Sequence, residues 1–302
     1  MLYKFFKILL ITTQLFYHVG AIGTSFLTVP IYPRELALGG LNPSIMGDPS
    51  LYHGNPALIV DYPSASTVFF GYNIWLADTK GMSLLVTNPV YGGTLGIGLR
   101  QISLSNLELR TTTPTDDYLS LFSASGTTLE GTWGKKLNRA YLGASLRWIR
   151  IESYIHVSTG FSADFGFGWS FLKNKITMGA ALLNVGKMNS FKKEVPELPT
   201  SIIAGITVKT HPLFGLSSKK YDTYTSIVGE YSKAHGWVVR MSGELFYNPV
   251  RFTLGTKLSN EVMGVGIGLG INWRRFQLSY GLEISSHQID IPHLFQFGVT
   301  LP

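Results

Sequence analysis

A strict alternation of apolar and small residues runs through VMGVGIGLGINW, residues 262–273. Every second residue from Met263 to Trp273 is apolar. The positions between them carry Gly264, Gly266, Gly268 and Gly270, and then Asn272. Because successive side chains of a β-strand leave opposite faces, this period of two predicts a strand with one apolar face and one bare face. The same alternation continues over 275–285, where the second face is small or polar.

Four glycines so close together also raise the hypothesis of a nucleotide-binding loop. The dinucleotide fingerprint is G-x-G-x-x-G between a strand and a helix. Here the spacing is G-x-G-x-G-x-G, and more strand pattern follows it. We therefore favour a structural interpretation, in which a bare strand face lets another segment pack closely against it.

Composition restricts the fold class further. Only 14% of the 302 residues are charged, against 45% hydrophobic and 13% aromatic, and glycine occurs 33 times. No run of eighteen apolar residues follows the N-terminus, which excludes a membrane bundle of helices. A chain poor in charge, rich in glycine and aromatics, and alternating with period two is typical of an all-β transmembrane barrel of the outer membrane.

The charge and the cysteine count exclude several partners and sites. The formal net charge is +7, but the basic residues are scattered among predicted turns, so we expect no nucleic-acid surface. The chain contains no cysteine, which excludes disulfides and thiolate metal sites. We expect outer-membrane lipid to be the main contact of the barrel wall.

Residues 1–21 have the pattern of a secretory signal peptide. Lys4 and Lys7 precede an apolar stretch at 8–16, and Val19-Gly20-Ala21 resembles an A-x-A cleavage site. We therefore predict cleavage near Ala21 and a mature protein in the outer membrane of a Gram-negative bacterium.

Residues 22–64 differ in composition from the rest of the chain. Prolines and glycines interrupt the stretch too often for regular strands. A short helix is predicted at 34–38, with Pro33 at its first position and Gly39 as its stop. A second is predicted to begin near Asn55, with Pro56 following the cap. We interpret 22–64 as a compact plug.

Residues 65–302 are predicted to form the barrel itself. The predicted strands are 66–75, 81–89, 93–103, 127–137, 141–151, 155–171, 175–185, 200–210, 222–233, 236–247, 250–258, 261–273, 275–285 and 293–301. Fourteen antiparallel strands place both barrel termini on the periplasmic side. Residues 104–126 and 186–199 are then predicted to be long outer loops, whereas the long connection 211–221 falls on the periplasmic side against the rule.

The sequence contains no motif that predicts an enzyme. No G-x-S-x-G elbow and no H-E-x-x-H are present. The histidines of the mature chain, at or near predicted strand ends or loops and interpreted as exposed, are His53, His156, His211, His235, His287 and His293. Asp116-Asp117 lacks the spacing of a calcium loop. We therefore expect a protein without catalytic residues, cofactor or metal.

Some charges fall on the polar face of predicted strands. Arg147 lies between Leu146 and Trp148, and Glu283 between Leu282 and Ile284, so both are predicted to face the lumen. The four glycines of 264–270 belong to the same lumen-facing set. We favour pairing of the lumen charges with each other or with plug residues such as Arg34 and Glu35. A polar lining that binds a ligand is the alternative.

The N-terminal phrases resemble a known family. TSFLTVPIYPRELALGG at 24–40 is similar to the F-L-x-x-P-x-x-x-R-x-x-A-L-G-G opening of the PorV/PorQ proteins, which are FadL-type outer-membrane barrels associated with type IX secretion. The matching residues are Phe26, Leu27, Pro30, Arg34, Ala37, Leu38, Gly39 and Gly40. The family's later N-P-A motif is met by Asn55-Pro56-Ala57, and YNIWLAD at 72–78 looks more like the PorQ branch.

The resemblance implies a plugged barrel that serves as a non-enzymatic component or accessory of type IX protein secretion and surface attachment. Its partners would then be other secretion or surface-attachment proteins. A FadL-like outer-membrane channel for hydrophobic small molecules is the alternative, and it implies a hydrophobic ligand. On either hypothesis the glycine face has no side chains that could fill the lumen, so another segment must pack there. We therefore predict that 22–64 packs against 262–273.

Overall fold

The computed structural model describes residues 23–60, 65–109, 118–172, 174–191, 194–210, 221–233, 235–260, 262–286 and 290–302. The fold is a closed barrel of fourteen antiparallel strands, each paired with its sequence neighbours, and the first strand pairs with the last. The strands are β1 (Thr67–Ile74), β2 (Lys80–Val90), β3 (Gly93–Leu109), β4 (Ser120–Leu137), β5 (Ala140–Ser153), β6 (His156–Phe171), β7 (Ile176–Met188), β8 (Ser201–Thr210), β9 (Tyr221–Ser232), β10 (Gly236–Tyr247), β11 (Val250–Ser259), β12 (Met263–Trp273), β13 (Phe276–Ser285) and β14 (His293–Thr300). The predicted fold class and strand number are confirmed.

The period of two in the sequence becomes the two faces of this wall. Along β12 the exposed side chains are Met263, Val265, Ile267, Leu269, Ile271 and Trp273. The glycines between them are buried. An apolar exterior with a polar or bare interior is the arrangement that lipid requires of a barrel wall.

The two ends of the barrel differ in their connections. Short turns at 91–92, 138–139, 172–175, 248–249 and 274–275 lie at one end. We name this the periplasmic end and the opposite one the outer end, because short turns face the periplasm in outer-membrane barrels. The connection at 211–220 lies outside the described residues, as do the predicted signal peptide 1–21 and Asp116-Asp117.

The long outer loop predicted at 104–126 is wrong. Strands β3 and β4 continue past the predicted boundary and pair as far as Leu109 and Ser120. The register shifts by one residue between Leu104 and Leu107, and Asn106 at this bulge has φ 61°. The prediction ended both strands at the length that crosses a bilayer. Here the β3–β4 hairpin instead continues beyond it.

The plug lies inside the barrel. Its regular elements are the 3-10 helices Ser25–Thr28, Pro49–Gly54 and Pro56–Ile59 and the helix α1 (Pro33–Ala37). Pro33 begins α1, as predicted, and Asn55 caps the last 3-10 helix by accepting a 2.9 Å hydrogen bond from the Ala57 N–H. The second predicted helix is thus a single 3-10 turn.

The core of the protein lies between plug and wall. A buried cluster joins Ile31, Tyr32, Tyr52, Ala57, Ile59 and Val60 of the plug to Phe69, Leu85 and Tyr141 of the strands. The plug also extends along the barrel. Phe26 packs beneath Gly126 towards the outer end, and Ile59 packs against Gly134 near the periplasmic end of the same strand, β4. No helix in the described part of the chain is both long and apolar enough to cross a membrane.

Candidate functional site

Helix α1 packs against the bare faces of β12 and β13. A Cβ added at Gly268 would lie 2.5 Å from the Ala37 Cβ, and one added at Gly281 would lie 2.5 Å from the Pro33 carbonyl oxygen. One added at Gly266 would collide with the Leu36 carbonyl oxygen. Glycine at these positions therefore lets the helix approach the wall, which a side chain would prevent.

The other two glycines of β12 do not contact the plug. A Cβ at Gly264 would lie 2.9 Å from Glu283 Oε1, and one at Gly270 would lie 3.1 Å from Arg251 Nη2. These side chains come from the neighbouring strands β13 and β11. The glycine face thus has a middle covered by α1 and two ends covered by charged side chains.

Backbone contacts fix the end of α1. Gly39 has φ +81°, in the left-handed region, and a Cβ there would lie 2.7 Å from the Thr256 carbonyl oxygen. The Gly39 carbonyl oxygen accepts a 3.0 Å hydrogen bond from Arg240 Nε. A Cβ on Gly40 would lie 2.7 Å from the same Arg240 Nε. Both glycines of the family-like phrase therefore serve close approach to the wall.

An ion-pair cluster anchors α1 to β10. Arg34 donates to both carboxylate oxygens of Glu244, at 2.9 and 2.6 Å, and to Asp48 at 2.5 Å. Arg251 Nη1 lies 3.7 Å from Asp48. Burial alone would raise the pKa of the Asp48 carboxyl, but the Arg34 and Arg251 guanidinium groups outweigh it and lower the pKa to about 2. The cluster is therefore fully charged at neutral pH.

A second buried cluster lies on the opposite wall around Arg147. Its guanidinium donates to Glu130 at 2.9 Å, to Asp164 at 2.7 Å and to Asn184 Oδ1 at 2.7 Å. Asp164 sits at a bulge between β6 and β7, where its other oxygen accepts a 2.6 Å hydrogen bond from the Asn184 N–H. Arg147 thus lies inside the barrel and is paired with wall residues.

His53 differs from its prediction as an exposed loop residue. The centroid of its ring lies 3.9 Å from that of the Tyr52 ring, with the two planes tilted by 49°, and its Nε2 lies 3.8 Å from Glu130 Oε2. Burial lowers the pKa of His53 to about 3, so the ring is neutral. The prediction treated His53 as an exposed loop residue although it lies in the predicted plug, and the packing of Pro49–Gly54 against the wall encloses its ring.

The N-P-A motif also fastens the plug to the wall. Asn55 donates hydrogen bonds to the Pro43 carbonyl oxygen at 2.8 Å and to the Phe167 carbonyl oxygen at 2.9 Å. Pro56 lies against Gly143, where an added Cβ would collide with its backbone. The Asn55 side chain and the Pro56 backbone thus hold the plug against the wall.

A cavity of about 490 Å³ opens above the plug at the outer end. Its apolar lining includes Phe26, Leu27, Trp75, Ile102, Pro199 and Val238. Its charged lining comprises Glu35, Glu230, Arg240, Lys257 and Glu283. Residues of the plug, of seven strands and of four connections between strands therefore enclose the space, and the charged residues of the wall come from β9 to β13.

Three of these charged residues, Glu35, Glu230 and Arg240, already have hydrogen-bond partners. Glu230 accepts a 2.6 Å hydrogen bond from Arg240 Nη2. Glu35 accepts a 3.2 Å hydrogen bond from the N–H of Ile31, which lies just before α1. Burial raises the pKa of Glu35 to about 7, although backbone hydrogen bonds and the Arg100 charge oppose the shift.

A smaller cavity of about 150 Å³ lies at the periplasmic end, lined by Met46, Tyr141, Thr177, Thr207 and Tyr224 among others. It shares no lining residue with the outer cavity. The plug lies between the two. In the described part of the chain no three histidine, aspartate or glutamate side chains are grouped as a metal site would require.

Comparison with known proteins gives structural relatives only. No family model matches the sequence, and no curated protein matches it. The monoaromatic hydrocarbon channel CymD superposes with a TM-score of 0.60 over 91% of this chain and 98% of its own, at 13% identity. The Pseudomonas putida toluene transporter TodX superposes with a TM-score of 0.60 over 90% of this chain and 99% of its own, at 10% identity. The fold is that of an outer-membrane β-barrel.

At these identities the likeness of the barrel to CymD and TodX concerns the fold alone. The coarse prediction of an outer-membrane barrel agrees with it. Membership of the PorV/PorQ family and of its PorQ branch stays a prediction, as do the cleavage site near Ala21 and the partners.

Sequence reasoning missed several charged residues inside the barrel. Glu130, Asp164 and Arg240 all lie on the inward parity of their strands, like Arg147. That parity was the available signal. Parity does not give the register between strands, however, and the register brings Glu130, Arg147 and Asp164 together across β4, β5 and β6.

Proposed function

We propose that the protein is an outer-membrane channel for hydrophobic small molecules, closed at rest by its N-terminal plug. The proposal rests on the outer cavity, which lies at the outer end of the barrel, has a partly apolar lining and has the plug as its floor. The barrel fold shared with hydrocarbon channels supports it. The committed ion pairs around α1 support a plug that must move for a molecule to pass.

Uptake of radiolabelled toluene tests this proposal. The full chain would be expressed in the outer membrane of a Gram-negative host that lacks hydrophobic channels of its own. We expect saturable uptake several-fold above the vector control. Uptake no faster than that of the control contradicts the proposal.

A matched pair of variants ties uptake to the cavity. Val238 lines the cavity and is 4% exposed, whereas its neighbour Val239 points outward and is 39% exposed. Val238→Trp should fill the space and reduce uptake several-fold, while Val239→Trp should leave it unchanged. Heat-modifiable migration on gels checks that both barrels are folded.

The second candidate is a component or accessory of type IX secretion. The family-like phrases at 24–40 and 55–57 favour it, as do exposed apolar residues at the outer tips of two hairpins, Leu119, Leu121, Tyr154 and Ile155. A pull-down from detergent-solubilised outer membrane tests it. Recovery of surface-protein processing enzymes supports this candidate, and recovery of bound hydrophobic molecules alone opposes it.

A further inference from the structure

Glu283 is the acidic residue of the outer cavity that has no committed partner among the described residues. It forms no hydrogen bond and no ion pair there, and the nearest positive charges are Lys257 and Arg240. The residue is 8% exposed, and the space that it faces is the cavity. The carboxylate is therefore available to an occupant of the cavity, and one that donates a hydrogen bond would form a charge-assisted bond with it.

Lys257 stands on the other side of the same gap. It lies on β11 opposite Gly264 of β12, and Glu283 lies on β13 opposite Gly266. A Cβ at Gly264 would meet Glu283, so the bare strand between the acid and the base is covered by the Glu283 side chain and not by the plug. Glycine at position 264 therefore gives the Glu283 side chain the space to lie across β12, on the side of Lys257.

The balance of charge indicates what kind of group fits this gap. Glu230 and Arg240 neutralise each other. Lys257 and Glu283 are then equal and opposite, so a charged head group would satisfy one and repel the other. A zwitterion would have to lose its hydration on both groups in a cavity with an apolar wall, which is expensive. A neutral hydroxyl can donate to the carboxylate and accept from the ammonium group.

We propose, on the basis of the proposed channel function, that the outer cavity selects apolar molecules bearing a hydroxyl group, with Glu283 accepting and Lys257 donating. The apolar body lies against Phe26, Leu27 and Ile102, and the hydroxyl lies between Glu283 and Lys257. Glu283 is thus a specificity-determining residue that distinguishes alcohols and phenols from plain hydrocarbons.

Binding of p-cresol and toluene, which differ by one hydroxyl, tests the proposal. Titration calorimetry of the full chain in detergent, corrected for partition of each probe into micelles, should give about tenfold tighter binding of p-cresol. Glu283→Met should remove that preference and leave toluene affinity within twofold. Glu283→Gln, which keeps an acceptor without the charge, should restore part of it.

Glu152→Gln is the control, because Glu152 is exposed on the outside of the wall and paired with Arg150. It should change neither affinity. If toluene binds but p-cresol shows no preference, or if Glu283→Met keeps the preference, the selectivity proposal is overturned and the channel proposal stands. If phenylalanine binds more tightly than p-cresol, the gap binds a zwitterion and the hydroxyl assignment is wrong. If neither p-cresol nor toluene binds, both proposals fail.

Discussion

At the scale of single residues, the contact between plug and wall depends on glycines, which have no side chain to keep the helix away. Gly266 faces the Leu36 carbonyl oxygen, and Gly268 faces the Ala37 Cβ. A backbone oxygen of a packed helix cannot rotate away, whereas the alternating residue Ile267 points to the exterior. The two faces of one strand therefore tolerate change very differently.

Replacing Gly266 or Gly268 with leucine should destabilise the folded barrel by about 1–3 kcal/mol, because the new side chain overpacks against α1. The larger effect is expected at Gly266, where the obstacle is backbone. The temperature at which the folded band disappears on a gel measures the loss. Ile267→Leu faces lipid and should be nearly silent, and equal small effects at all three positions would contradict the packing.

A second residue-scale prediction concerns Glu35 and pH. The folded protein keeps the proton of this carboxyl up to about pH 7. A glutamate in the unfolded chain loses its proton at about pH 4.3. Between these values the folded state binds more protons, so the free energy of unfolding contributed by Glu35 falls as the pH rises.

Glu35→Gln should therefore flatten part of the pH dependence of stability. Urea midpoints at pH 5 and pH 8 measure it in the wild type and the variant. We expect the wild type to lose more stability between the two values than Glu35→Gln does. The same loss in both proteins would show that Glu35 is ionised throughout.

At the scale of elements, helix α1 has only five residues and depends on its surroundings, because isolated helices of this length do not form in water. Arg34 supplies the strongest link, through Glu244 and Asp48. Removing one member of a buried ion pair leaves the other charges without compensation. The plug is therefore expected to loosen at this helix first.

Arg34→Met should destabilise the packed plug by about 3–5 kcal/mol and make openings of the barrel more frequent. Single-channel recording counts the openings directly. Arg150→Met is the control, since the exposed Arg150–Glu152 pair lies on the outside of β5 and contributes little. An unchanged opening frequency in Arg34→Met would mean that α1 is held by packing alone.

The elements also show what the sequence could and could not predict. All fourteen strands follow from the period of two, because one face of each meets lipid. The extension of β3 and β4 beyond the membrane was missed, since no change of period marks where the bilayer ends. The inward position of His53 was missed as well, because it depends on how the irregular segment Pro49–Gly54 folds against the wall.

At the scale of the whole molecule, a barrel of fourteen strands has room for more than side chains, and here the plug occupies that room. Contacts from Phe26 at the outer side to Ile59 near the periplasmic end extend the plug along the lumen. The two cavities on either side of it remain separate. The molecule is therefore a closed barrel with a recess at its outer end, in contrast to an open pore.

Recording from the full-length protein in planar lipid bilayers tests this central claim most directly. With the plug in place we expect no continuous aqueous path through the lumen, so insertion should be accompanied by little conductance. Brief openings that become more frequent in Arg34→Met would agree with a resident plug. Large, steady conductance from the wild-type protein, like that of a porin, would contradict it.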